Sequence, residues 1–155
     1  MKELIILVGN IGSGKSTLCK KLQKEGYVII SRDSLRYGIG GGNYIFDLNY
    51  EPIVWDTEFY LFERFLQLGV NLVIDEVGIN KILRKRYIPL AKRFNYKIVV
   101  YLLPKLTMKK SVRRRLKDPH GQLDKKLWES VWKKFNKMYE KPTLDEGFDE
   151  IRKVK

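Results

Sequence analysis

Gly9-Asn10-Ile11-Gly12-Ser13-Gly14-Lys15-Ser16-Thr17 follows the apolar run Leu4-Ile5-Ile6-Leu7-Val8 and precedes a segment with helical spacing. The first eight of these residues fit G-x-x-x-x-G-K-[ST] at every position, with strand before and helix after, the context this motif requires. Glycines let the backbone curl so that successive N–H groups point inward around a phosphate chain. A helix beginning near Ser16 adds its positive dipole end. Lys15 can reach the β- and γ-phosphates, and the Ser16 hydroxyl can ligate Mg²⁺. The alternative, a glycine-rich turn with a chance lysine, does not account for the flanks. The stretch therefore predicts a nucleoside triphosphate site.

The rest of the composition fits that start. At 155 residues the chain suits a single domain over residues 1–155, long enough to bury a core without staples. No apolar run approaches the ~20 residues of a membrane span, and strand pattern begins at once with no signal-peptide pattern, so a cytoplasmic protein without membrane contact is expected. Cys19 is the only cysteine, which excludes an internal disulfide and agrees with the cytosol. With Leu18 and Leu22 it falls on the apolar side of the first helix, as a buried thiol. The net charge of +13 is unevenly spread. Residues 81–97 carry +7 and residues 105–141 carry +9, whereas residues 43–68 carry −4. Such asymmetry suits a polyanionic partner; solvated helix faces in a lysine-rich chain would produce the same sums.

Strand and helix patterns alternate along the chain. A helix over about 16–25 stops at Gly26, and Tyr27-Val28-Ile29-Ile30 is a short buried-type strand. The run Gly38-Ile39-Gly40-Gly41-Gly42 offers little to oppose backbone entropy and is expected to be mobile without ligand. Pro52 opens a long aromatic-rich helix closed by Gly69. Leu72-Val73-Ile74-Asp75-Glu76 is a strand ending in acids. Residues 80–94 form a basic helix that Pro89 must kink or split. Lys97–Leu103 is a strand, and Thr107 caps a helix to about Leu116. Beyond the loop 117–123, Leu127, Val131, Phe135 and Met138 share one stripe of a helix, ordinary core spacing. A last strand falls within 148–154. This order predicts an α/β fold with a parallel sheet of about five strands and helices on both faces. Ligands bind such sheets beyond the carboxyl ends of the strands. That rule groups Gly9–Thr17, Ser31–Arg36 and Asp75–Val77 on one rim.

Two acids on that rim have chemistry to offer. Asp75, at the end of an apolar strand, is the natural second ligand for Mg²⁺, through water, because Mg²⁺ keeps much of its hydration shell. Glu76 either shares that role or faces solvent. Asp33 follows the second strand, opposite the triphosphate, where a carboxylate can orient an attacking hydroxyl and take its proton. It is equally well placed to cap a helix.

These residues resemble a known family. The phosphate loop, Ser31-Arg32-Asp33 with Arg36, the strand end at Asp75, an arginine-bearing helix and Pro142-Thr143-Leu144-Asp145-Glu146-Gly147-Phe148 are similar to the 5′-kinase domain of polynucleotide kinases. The likeness runs from Leu4 to about Ile151. The loop is generic to many NTPases; the R-D-x-x-R element and the P-T-L-x-E-G-F tail are far more selective. The resemblance implies a P-loop kinase fold with an arginine-bearing lid helix, using ATP and Mg²⁺ to phosphorylate the 5′-OH end of DNA or RNA. It implies that Lys15 and Ser16 serve ATP and Mg²⁺, and that Asp33 is the general base. It further implies that Arg36 grips the phosphate on the acceptor's 3′ side and that a lid arginine steadies the transferring phosphoryl group.

Some features depart from that pattern. Where some members read Asp-Thr-Asn after strand three, this chain reads Asp75-Glu76-Val77. Lid arginines in the family are often a turn apart, but Arg113-Arg114-Arg115 are consecutive and cannot all face one ligand. Arg114 is the first choice, and a solvated basic face is the alternative. His120 in the lid loop is expected to be inert or to border adenine. Trp128 and Trp132 read as packing residues, while Tyr37 and Tyr44 are candidates to stack a terminal base. Two rival functions stand beside the polynucleotide kinase. One is a small-molecule kinase acting on a sugar, nucleoside or aminoacyl group, against which the +13 charge argues. The other is a nucleotide-dependent regulatory module, which needs no acceptor-side base.

Overall fold

Parallel strands buried on both faces need near-continuous apolar runs, and the central strand of this sheet is one. The computed structural model describes residues 2–155. β1 (Glu3–Val8) is followed by α1 (Lys15–Lys24), β2 (Val28–Ile30), α2 (Arg32–Ile39), α3 (Glu51–Leu68) and β3 (Leu72–Ile74). Then come α4 (Lys81–Lys85), α5 (Ile88–Arg93), β4 (Lys97–Leu102), α6 (Met108–Arg115), α7 (Lys125–Met138) and β5 (Glu150–Lys153). The strands pair in the order β2-β3-β1-β4-β5, all parallel. The expected five-strand parallel fold is thus the observed one.

Alternation along β1 divides the core. Leu4, Ile6 and Val8 face Phe62 and Leu66 of α3 and Ile88 and Ala91 of α5. Ile5 and Leu7 face Cys19 and Leu22 of α1. Cys19 is buried, as its stripe implied. β1 lies where the strand order reverses, so its carboxyl end opens into the crevice where such sheets bind ligands.

Local signals set most boundaries. Pro52 sits in the first turn of α3 and Gly69 caps its end. Pro89 splits the basic segment into α4 and α5, standing in the first turn of α5, where its missing N–H costs nothing. The Thr107 hydroxyl accepts from Lys110 N at 3.3 Å and starts α6.

Two expectations are corrected. The glycine run is held by hydrogen bonds: the N–H groups of Gly41, Gly42 and Asn43 donate to the carbonyls of Gly38, Tyr37 and Gly40 at 3.2, 2.9 and 3.1 Å. A Cβ on Gly40 would fall 1.9 Å from the Asn43 carbonyl oxygen, so glycine serves close packing there rather than mobility. The apolar stripe on α7 is also displaced. Leu127 and Met138 are exposed, and no residue of the helix is fully buried. Its half-buried face is Trp128, Val131, Trp132 and Phe135, because α7 packs on α6 and the phosphate loop rather than on the sheet.

Candidate active site

The loop Gly9–Thr17 bridges β1 and α1. Gly9 N donates to Val77 O at 3.0 Å, which ties the loop to the strand end beside it. Asn10 Oδ1 accepts from Ile11 N at 2.7 Å, and its Nδ2 donates to Trp132 O at 3.1 Å, joining the loop to α7. Ile11 and Ser13 are buried. Gly12 has φ +64°, and a Cβ there would lie 2.5 Å from the Ser111 carbonyl oxygen of α6, so only glycine fits. Gly14 caps α1 without any side-chain hydrogen bond, and Ser16 and Thr17 are exposed in its first turn. The N-terminal amides of α1 are thereby left to an anion.

Lys15 lies inside the loop, its Nζ donating to the carbonyls of Gly9 and Asn10 at 2.8 Å each. Burial lowers its pKa to about 8, against the opposing pull of Asp75. Asp75 itself is raised by burial, with Lys15 resisting. Among the described residues no three His, Cys, Asp or Glu side chains gather as a metal cluster. A hydroxyl (Ser16), one carboxylate (Asp75), phosphate oxygens and water form the donor set that Mg²⁺ accepts, so these residues fit that ion.

Asp33 stands in the first turn of α2, whose N-cap is Ser31, its Oγ accepting from Ser34 N at 3.3 Å. Asp33 Oδ1 accepts from Arg36 Nη1 at 2.7 Å and from the Tyr44 hydroxyl at 2.9 Å. Oδ2 receives no hydrogen bond among the described residues. Burial opposes ionisation, yet His120, Tyr44 and Arg36 together hold the carboxyl below its ordinary range. His120 is in turn lowered by burial and by Arg115, so at neutral pH the lasting contributions come from Tyr44 and Arg36.

Arg36 does reach Asp33, one turn away. It is also gripped by Glu51, whose two oxygens accept from Nε and Nη2 at 2.9 Å each. The guanidinium is therefore shared between two carboxylates, with the Phe46 ring 5.5 Å from Cζ. Tyr44 is committed as well. Besides its bond to Asp33, its ring meets Tyr37 at 5.2 Å and His120 at 4.8 Å, edge to face.

The three lid arginines diverge, as consecutive helical residues must. Arg113 is exposed. Arg114, also exposed, donates from Nη1 to Gly12 O at 3.3 Å, on the rim of the phosphate loop. Arg115 turns inward, with Cζ 5.0 Å from the Trp128 ring and Nε buried without a partner. Its charge is felt at Lys15 and Asp75, and that of Asp33 is felt at Arg115. His120 was missed by sequence reasoning as a member of this site. It lies against Tyr37, Tyr44 and Trp128, and its Nδ1 is buried and unpartnered. The turn Asp118-Pro119-His120-Gly121 was the available signal, since His120 takes a left-handed φ of +50° that folds the loop back over α2.

The sequence profile of AAA_33, described as an AAA domain, matches residues 4–142. The chain belongs to this AAA domain family. No curated protein matches it. Among solved structures, this AAA domain is similar to a chain of the Pnkp1/Rnl/Hen1 RNA repair complex, with a TM-score of 0.70 and 20% identity over 88% of this chain and 45% of that one. A fungal RNA kinase aligns over 99% of this chain and 38% of its own, with a TM-score of 0.65 and 17% identity. The Mycobacterium tuberculosis APS kinase CysC, in complex with AMPPNP and APS, aligns over 98% and 88% respectively, with a TM-score of 0.60 and 15% identity. The chain spans less than half the length of the two RNA-related chains. The fold of the AAA domain is that of a P-loop kinase. No described helix is long and apolar enough to cross a membrane.

Proposed function

We propose that this chain is an ATP-dependent polynucleotide 5′-hydroxyl kinase. The observation that supports this best is Asp33: an ionised carboxylate at the carboxyl end of β2, fixed through one oxygen by Arg36 and Tyr44, with the other free. A switch or binding module has no use for such a base on the acceptor side of a phosphate loop. The free oxygen takes the hydroxyl proton as the acceptor oxygen attacks the γ-phosphorus and ADP leaves. Phosphoryl transfer asks mainly for this positioning and for charge neutralisation.

Lys15 and the α1 amides neutralise the phosphates. Mg²⁺, held by Ser16 and by Asp75 through water, would supply further positive charge at the β- and γ-oxygens. For the lid arginine we favour Arg115 over Arg114, since Arg115 lies in the mutual field of Lys15, Asp75 and Asp33 whereas Arg114 reaches only the loop rim. The positive charge of α4–α7 steers a polyanion toward the lid.

A small-molecule acceptor is the second reading, and one observation favours it. Arg36, the expected phosphate grip, is already bound by Glu51, and Tyr44, which binds Asp33, sits in a cluster with the rings of Tyr37 and His120. Incubation with γ-labelled ATP and separate 5′-OH DNA, 5′-OH RNA, nucleosides and adenylyl sulfate tests both. Label on the oligonucleotide 5′ end is expected. Label only on a small molecule would transfer the assignment to the second reading.

A further inference from the structure

Glu76 was left with two roles by the sequence, a share in the Mg²⁺ shell or a solvated strand end. The geometry assigns it neither. Side chains alternate across a strand, so Asp75 continues the face of Val73 and Cys19, toward Lys15, while Glu76 continues the opposite face of Ile74. There it meets the start of α2. Its Oε1 accepts from the backbone N–H of Arg32 at 2.8 Å, and its Oε2 accepts from Arg32 Nη2 at 3.0 Å. One carboxylate thus holds both the main chain and the side chain of a single residue.

That residue is the first of α2, and its N–H is one of the donors a helix start leaves without an internal partner. Ser31 satisfies the amide of Ser34, and Glu76 satisfies that of Arg32. The guanidinium is clamped on its other side by Trp55 of α3, with Cζ 3.5 Å from the ring centroid, and Arg32 is 6% exposed. Asp33 is the next residue. Its backbone direction is set by a turn pinned from below by strand β3 and from the side by α3.

We propose that Glu76 is a positioning residue for Asp33, bracing the first turn of α2 through Arg32, and that it does not ligate metal. This rests on the reading of Asp33 as the acceptor-side base. A brace of this kind acts on the placement of the base and not on nucleotide binding. Glu76→Gln keeps an acceptor for the Arg32 amide but sets an NH₂ group against the guanidinium. Glu76→Ala removes both bonds.

The experiment is a double-mutant cycle with Asp33→Asn, read by single-turnover transfer at saturating ATP and oligonucleotide. Expected is a loss of about 10-fold in kcat for Glu76→Gln and more for Glu76→Ala, within the 10²-fold that a misplacement of ~1 Å can cost. The ATP KM and the Mg²⁺ requirement should stay within about twofold of wild type, and the Glu76→Gln loss should vanish in the Asp33→Asn background. An equal loss in both backgrounds, or recovery of activity at raised Mg²⁺, would overturn the proposal. Amide exchange supplies a readout that needs no acceptor substrate: the Arg32 amide should exchange faster in Glu76→Ala, which removes its hydrogen-bond acceptor, while β1 stays protected. Unchanged exchange at Arg32 would refute the brace even if the kinetics moved. Full activity in Asp33→Asn would instead refute the base assignment, leaving the exchange result to decide the brace alone.

Discussion

Glu146→Ala should destabilise the protein far more than its place in a surface turn suggests. The Arg84 side chain is completely buried, and Glu146 binds it with two oxygens: Nε to Oε2 at 2.8 Å and Nη2 to Oε1 at 2.7 Å. Arg84 Nη1 donates to Gly78 O at 2.8 Å, so one guanidinium ties α4, the β3–α4 connection and the C-terminal turn Leu144–Glu146 together. Removing the carboxylate leaves a buried cation without its counter-ion. Breaking a buried pair this way costs about 3–5 kcal/mol. For a chain of this size that lowers Tm by roughly 6–20 °C, at about 2–4 °C per kcal/mol. The assay is urea unfolding followed by tryptophan fluorescence, with thermal melts as a second measure. Replacing both partners, as Arg84→Met with Glu146→Leu, should recover most of the loss, since apolar substitutes leave no orphaned charge. A cost below about 1 kcal/mol, the scale of solvated pairs, would refute the reasoning.

Arg115→Ala should lower single-turnover transfer by about 10²-fold or more with little change in ATP affinity, the usual scale for a lost transition-state donor; equal, mild losses in Arg113→Ala, Arg114→Ala and Arg115→Ala would mean the triplet is only a basic surface. Replacing exposed Lys85, Lys92 and Arg93 together by Gln should weaken oligonucleotide capture and flatten its salt dependence while sparing kcat, checked by binding titrations across salt. Arg86 is left out because it reaches Glu58 at 3.5 Å and is structural. Asp33 is held below the ordinary carboxylate range, so the base form is present above that depressed value and is lost only as pH falls through it. The pH profile of transfer should therefore show no loss due to Asp33 between about pH 7 and pH 5, well above the reference value of ~3.9; a limb in that window that disappears in Asp33→Asn would contradict the shift.

What could be read from the sequence was local. Thr107, Pro52, Gly69 and Pro89 act on the residues beside them, so α6, α3 and the split of α4 from α5 were legible. The phosphate loop was legible because its flanks are short-range. Long-range pairing was not. Nothing at position 36 tells that Glu51 takes its guanidinium, or at position 76 that Arg32, 44 residues away, is its partner. The C-terminal P-T-L-x-E-G-F turn stood out as a selective motif, but its physical work, neutralising Arg84, required contact over 62 residues. The face of α7 was misread for a related reason. Its periodicity gave two overlapping stripes, and only the packing of α7 on α6 and the phosphate loop chose Trp128 and Trp132 over Leu127 and Met138.

The proposed reaction depends on Asp33 as the base that activates an acceptor hydroxyl. Its most direct test compares wild type with Asp33→Asn in single-turnover transfer from γ-labelled ATP to a 5′-OH oligonucleotide, alongside ATP binding by calorimetry. The expected result is a fall in transfer of about 10²–10⁴-fold, the scale of a lost general base, with ATP affinity nearly unchanged. Transfer that survives the substitution, or ATP affinity that collapses with it, would contradict the assignment.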